Sequence, residues 1–447
     1  MRFTRQALLA LALSLSGLLA QASESPPVHD ITLHNGLRVL IVEDHRAPVI
    51  LQSLWVRVGS YDEPAGYSGV SHVLEHMLFK GTDNLGPGEF SKLLNRLGIS
   101  HNAMTSHTFT AYYAEFERSK LPLMLELEAD RFVNASFDPD EYASELNVVL
   151  EERKQRTDDN PQALAAERLN SVLRPGTGYA HPVIGWPADL EQLTLDKSRE
   201  WYQRYYTPGN AVLILVGDLQ KAQALPLIER FFGAIPAATS PQRVAGRLYP
   251  PSGERRVTIQ VPVTVPSLQL AWNVPSVSTQ RDDFFALLML AEILDNSETS
   301  RLETQLVRQQ QAALSVSARY DGFSLIDGLF RISATPAPGQ TLDSLEQAIV
   351  SELQRLQDEP PSPTELARVI AQVISADVYA KDSLTNRAFS LGYLVSLGLP
   401  TDFDHQYVNA VQQVTSEQIR DAAQRLLTSN RLTVAHILPD SNNGADQ

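Results

Sequence analysis

The sequence predicts an α+β protein built from two similar halves, and three observations carry that expectation. Each half opens on strand-forming runs, Ile31–His34 and Leu37–Val42 in the first and Val257–Val263 in the second. Each half closes on a similar block that follows a helix and precedes a strand. The blocks are Gln203-Arg204-Tyr205-Tyr206-Thr207 before Ala211–Val216, and Gln424-Arg425-Leu426-Leu427-Thr428 before Leu432–Leu438. Repetition at this scale is the mark of a duplicated unit. Between the halves, 234–256 holds Pro236, Pro241, Pro250 and Pro251 with little periodicity, which reads as a linker.

The elements follow in chain order. Asn35-Gly36 between the first two runs is a hairpin turn. Val49–Val58 alternates as a third strand and ends at Gly59. Helical spacing covers Ser68–Lys80, a short stretch at Pro87–Leu97, then Leu121–Phe132 and Pro139–Arg156. Thr, Tyr and Phe make a strand of His107–Phe116, and Val212–Val216 is a buried strand running into Gly217-Asp218. The expected divisions are 23–233 and 257–440, with a disordered tail at 441–447.

Residues 1–22 read as a signal peptide. Arg2 and Arg5 form a basic start, Ala7–Ala20 an apolar run, and Ala20-Gln21-Ala22 a small-x-small cleavage point that leaves no membrane anchor. The chain has no cysteine, which excludes disulfides and a lipidated cysteine and fits a bacterial periplasm. The formal charge is −15, and −17 once Arg2 and Arg5 are removed. That field excludes nucleic acid and anionic membrane surfaces as partners.

His72-Val73-Leu74-Glu75-His76 is the most informative stretch. At about 100° per residue, His72, Glu75 and His76 share one helical face, while Val70, Val73, Leu74, Met77 and Leu78 fill the rest. A polar stripe on an otherwise apolar helix needs partners. Two histidines one turn apart bind one zinc ion, and a glutamate beside them takes a proton from a water. HxxEH reverses the HExxH spacing and serves the same chemistry. Zinc then needs a third protein ligand, and Glu141–Glu152 offers candidates. On the helical wheel Glu145 and Glu152 lie two turns apart, between Val148 and Val149 at the edge of the apolar stripe, whereas Glu151 points away. Spacing thus favours Glu152 or Glu145.

Gly69–Thr82, with Gly59-Ser60-Tyr61-Asp62-Glu63-Pro64 before it, resembles the signature of the pitrilysin/insulysin family, and within it the two-domain processing-peptidase-like branch. Asn102-Ala103-Met104-Thr105 and Pro208-Gly209-Asn210-Ala211 resemble further family segments. The resemblance implies Glu152 as third ligand, Glu145 as its supporting glutamate, and one Zn2+ per chain. It implies that Asn102, Ala103, Met104 and Thr105 form a substrate-binding edge strand. It also implies two sheet-plus-helix domains of the LuxS/processing-peptidase-like metallohydrolase fold, closing with a second chain around a chamber where peptides bind extended. The activity implied is that of a zinc endopeptidase with Glu75 as base; the alternative is a non-catalytic or metal-binding scaffold of the same fold. One departure stands out. Where the family carries an Arg and a Tyr seven residues apart in the second domain, this chain has Val307 and Leu314. A related subunit supplying that pair in a heterodimer is therefore expected, with a homodimer as the alternative. His101 and His107 flank the edge-strand segment, His181-Pro182 resembles a family loop, His29, His34 and His45 lie in or near exposed hairpin segments, and His405 and His436 lie in the second half with no partner at ligand spacing.

Overall fold

A computed structural model describes residues 26–243, 246 and 253–440. The signal-peptide reading at 1–22, the tail at 441–447 and part of the linker at 234–256 lie outside those residues.

Two mixed sheets organise the chain. The first contains β1 (Val28–Thr32), β2 (Arg38–Glu43), β3 (Val49–Val56), β4 (Ser100–Thr105), β5 (Thr110–Glu117) and β6 (Ala211–Gly217), in the order β1-β2-β6-β3-β5-β4. The second contains β7 (Arg255–Val261), β8 (Ser267–Val274), β9 (Ala313–Asp321), β10 (Gly328–Pro336) and β11 (Leu432–Pro439), in the order β7-β11-β8-β10-β9. Apart from β1, the sheets match strand for strand. β2/β6 and β7/β11 are the parallel pairs, and the other pairs are antiparallel. The two similar closing blocks end the helices Leu195–Tyr205 and Ser416–Leu426 and feed β6 and β11, so the repeat in the sequence is a repeat in topology.

Every residue of β6 is buried, because both faces of the sheet are covered. Val39, Ile41, Leu213 and Leu215 face the helices of their own half. Leu40, Trp55, Val212 and Ile214 face Ala388, Leu391 and Val395, from the helix Leu384–Ser396 of the second half. The exchange is reciprocal: Ala165, Leu169 and Leu173, on the helix Pro161–Leu173 of the first half, cover Ile259, Val261, Ala271 and Ile437 of the second sheet. Each fully buried Leu or Val here contributes about 1.5–3 kcal/mol relative to exposure, so the halves are bound by a shared core. The fit is close, since a Cβ on Gly392 would lie 2.1 Å from the Trp55 ring.

Several elements differ from their expected bounds: the first strand, expected at Ile31–His34, spans Val28–Thr32, and three further cases have a visible cause. The helix expected at Ser68–Lys80 spans Val70–Met77, because Gly69 takes the left-handed conformation at φ +91. The strand expected at His107–Phe116 starts at Thr110, because a turn closed by the Ser106 N–H and the Phe109 carbonyl precedes it. The helix expected at Pro139–Arg156 is regular to Arg153 and then widens into a π-helical turn over Lys154–Asp158. Among the described residues no helix is long and apolar enough to cross a membrane.

Candidate metal centre

The helix Val70–Met77 is fixed at its start. Its first N–H groups point at the buried Glu63, whose carboxylate accepts from Gly69 N at 2.7 Å and Ser71 N at 2.9 Å. Burial pushes Glu63 up to about 7, opposed by these same donors. Gly69 has no substitute, since a Cβ there would sit 2.7 Å from the Ile184 carbonyl oxygen. The Ser71 hydroxyl accepts from Trp201 Nε1 at 3.2 Å. So fixed, the helix packs against Pro139–Arg153 and Leu195–Tyr205.

The face turned to Pro139–Arg153 carries His72 and His76, with ring centroids 4.9 Å apart. Glu152 meets both: Oε1 lies 3.8 Å from His72 Nε2, and Oε2 lies 3.4 Å from His76 Nε2. One donor atom from each of the three lies within 4.8 Å of the others. The other ring nitrogen of His76, Nδ1, is 3.1 Å from Glu145 Oε2, and Glu145 Oε1 is 2.5 Å from Lys80 Nζ. A carboxylate at Nδ1 holds the proton there and leaves the Nε2 lone pair facing Glu152. Burial, with smaller effects from His76 and Arg156, holds His72 down to about 3, so its imidazole is neutral at pH 7. His72 Nδ1 is buried with no hydrogen-bond partner among the described residues. Two imidazoles and a carboxylate form the donor set of an open zinc site, and these residues fit that ion. Arg156 Nη1 lies 2.5 Å from Glu152 Oε1 and adds a cation at the rim.

Glu75 stands beside this group. Its Oε2 accepts from the Thr105 hydroxyl at 2.5 Å. Burial raises its pKa, while Thr105 and His76 pull it down. Thr105 ends β4, which pairs only with β5 and forms an edge of the sheet. Of the edge segment, Thr105 alone reaches the centre through its side chain. Asn102 is exposed, Ala103 enters the core of the first half, and Met104 packs on the opposite face against the second half's helix.

Wheel geometry left Glu145 and Glu152 open; their places now differ. Glu152 faces both imidazoles, Glu145 backs His76, and Glu151 is exposed. Val148, expected in the apolar stripe, is 45% exposed beside Glu152. Sequence reasoning passed over Glu63, Lys80 and Arg156; Glu63 lies six residues ahead of the glycine that starts the helix. His436, expected to lack a partner, sits 3.9 Å from both Asp343 and Glu346, although Arg256 already holds Glu346. His101 bonds Ser91 within an aromatic cluster, and His107 bonds Ser60. His29 and His45 both approach Glu43. Leu314 is 63% exposed on the edge strand β9, Val307 is half-buried against the second core, and Arg308 pairs with Glu298 and Glu303. The second-half counterpart of the motif helix, Arg281–Leu294, carries Phe284, Phe285 and Leu287 in its core, and among the described residues it joins no group of three potential metal ligands.

Fold and site together define a two-domain α+β chain with an HxxEH motif and a candidate metal centre in its first half. A family model described as "Insulinase (Peptidase family M16)" matches residues 38–185, and one described as "Peptidase M16 inactive domain" matches 192–373. The chain belongs to the M16 insulinase family of zinc proteases. It is 28% identical over 423 residues to the zinc protease PqqE of Helicobacter pylori, covering 92% of this chain and 94% of that one. It resembles the crystal structure of a protease from Helicobacter pylori with a TM-score of 0.85 at 25% identity, over 93% of this chain and 100% of the other. It shares its fold with the first half of the periplasmic protease PqqL of Escherichia coli, with a TM-score of 0.79 at 20% identity, over 92% of each chain.

Proposed function

We propose that the protein is a zinc-dependent endopeptidase acting on peptides or small unfolded polypeptides in the periplasm, as the metal-bearing subunit of a two-chain assembly. One observation carries the reading: His72, His76 and Glu152 converge on one point, with Glu75 alongside, at the end of an open sheet edge. Zinc held by His72, His76 and Glu152 would supply Lewis acidity to the scissile carbonyl and to a water. Glu75 takes the water proton at its carboxylate and returns it to the leaving nitrogen. Thr105 holds Glu75 Oε2 and so aims the other oxygen at the water. Glu145 steadies His76 through Nδ1. The peptide adds as a strand to β4, pairing through main-chain groups of Asn102–Thr105. The side chains of Ala103 and Met104 are committed to packing on opposite faces, which leaves their backbone for this role.

Periplasmic placement is supported by the signal-like start and the absence of cysteine, and PqqL is a periplasmic protease of the same fold. The second subunit is invoked because Val307 and Leu314 stand where the family's Arg and Tyr are expected. Such a pair would stabilise the oxyanion of the tetrahedral intermediate. The test is a peptide assay on the purified chain, with and without chelator and with and without a related subunit that carries the pair. Cleavage is expected to need metal and to rise on adding that subunit. Chelator-resistant cleavage would contradict the zinc reading, and full activity of the chain alone would contradict the two-subunit reading.

A further inference from the structure

A cavity of about 610 Å³ lies between the two halves, and its wall starts one residue beyond the metal centre. Ser106 and His107, which follow Thr105, form part of it, and Asp321 and Arg331 close it from the second half. Arg174 lines the same cavity at the end of the interlocking helix Pro161–Leu173 and is only 6% exposed.

The charges in this wall are not all paired by contact. Arg331 is paired with Asp321. Glu167 gives both its oxygens to Arg153, at 2.9 Å each. His107 bonds Ser60, and burial holds it down to about 4, so it is neutral at pH 7. Arg174 is left over. Its Nε is buried without a hydrogen-bond partner among the described residues, and its guanidinium rests 4.7 Å from the centre of the Tyr179 ring. His181 Nδ1, in the same wall, is likewise buried without a partner among the described residues. A buried guanidinium whose donors meet no partner is unfavourable unless an acceptor reaches it. Asp321 favours its charged form from a distance, but it is Arg331 that Asp321 contacts. A guanidinium beside a cavity is suited to a carboxylate, which it grips with two parallel N–H groups.

We propose that this cavity is a subsite for a carboxylate of the bound peptide, with Arg174 as its counter-charge. The inference rests on the peptidase reading, because the peptide reaches the cavity by lying along β4 past Thr105. Two sources share the chemistry: the peptide's terminal carboxylate and an Asp or Glu side chain near the scissile bond. Arg174 is thus a specificity-determining residue that stands apart from the metal ligands.

The test uses the full-length zinc-loaded chain and four versions of one peptide. The C-terminus is free or amidated, and a residue near the cleaved bond is Glu or Gln. One of the two carboxylates is expected to lower KM about 10- to 100-fold against the doubly neutral peptide, and the version that does so identifies the source. Arg174→Gln should remove that preference, so that the four peptides share one KM. Equal KM values for all four peptides, or a preference that survives Arg174→Gln, would overturn the proposal. Arg174→Met separates this role from a structural one. Its melting temperature should equal or exceed the wild-type value, because a buried guanidinium whose donors meet no partner is gone; a clear fall would mark Arg174 as a structural residue and overturn the proposal too. N-terminally fluorescein-labelled copies of the four peptides, titrated by anisotropy against the chelator-treated chain, read the subsite without turnover. Loss of peptidase activity alone would therefore count against the zinc reading and leave this readout intact.

Discussion

Glu75→Gln is expected to keep its zinc and lose about 10²- to 10⁴-fold in kcat, the usual contribution of a positioned general base. The substitution preserves size, and the Thr105 hydroxyl, now 2.5 Å from Glu75 Oε2, can donate to an amide oxygen as it does to a carboxylate. The metal donors are on other residues, so metal content should not change. What disappears is a basic oxygen. Burial raises the pKa of Glu75 toward the working pH, which is the tuning a proton acceptor needs. Parallel kcat and zinc measurements decide the matter, and a variant with wild-type turnover would remove Glu75 from the mechanism.

His72→Phe is expected to abolish zinc binding without unfolding the protein. The imidazole is buried on an apolar helix, and its Nδ1 already lacks a partner among the described residues, so a phenyl ring of similar shape is accommodated at little loss. The metal loses one of three protein donors. A ligand bound only by the native state stabilises it by about 4 kcal/mol at a thousandfold excess over Kd. Thermal unfolding should therefore rise with added zinc in the wild type and stay flat in the variant, with metal-free forms melting close together. A zinc-dependent rise that persists in His72→Phe would exclude His72 as a ligand.

The centre was legible in the sequence to the extent that periodicity could express it. His72, Glu75 and His76 lie within one helix and needed only the 100° turn to be seen as a unit. Glu145 and Glu152 were legible as a pair but not as distinct roles, because which oxygen faces which imidazole depends on how two helices 69 residues apart in sequence are set against each other. The same limit hid the reciprocal packing of Pro161–Leu173 and Leu384–Ser396. An apolar stripe reports that a face is covered, not which half of the chain covers it. Glu63 was hidden for another reason: it caps a helix from outside the helix, and capping patterns are read from residues adjacent to the first turn. In the edge segment the structure puts Ala103 and Met104 on opposite faces, and both faces are packed, so the segment's use for substrate falls to its backbone.

The central claim is that two helices bring His72, His76 and Glu152 to one ion, and zinc content per chain in the adjacent variants Glu151→Ala and Glu152→Ala tests it most directly. Glu152 lies within 4 Å of both imidazoles, whereas Glu151 is exposed on the other side of the same turn. The expected result, after dialysis at equal free zinc, is one zinc per chain in the wild type and Glu151→Ala, and an affinity loss in Glu152→Ala beyond the ~10- to 100-fold typical of an outer partner. Full zinc in Glu152→Ala, or its loss in Glu151→Ala, would contradict the account.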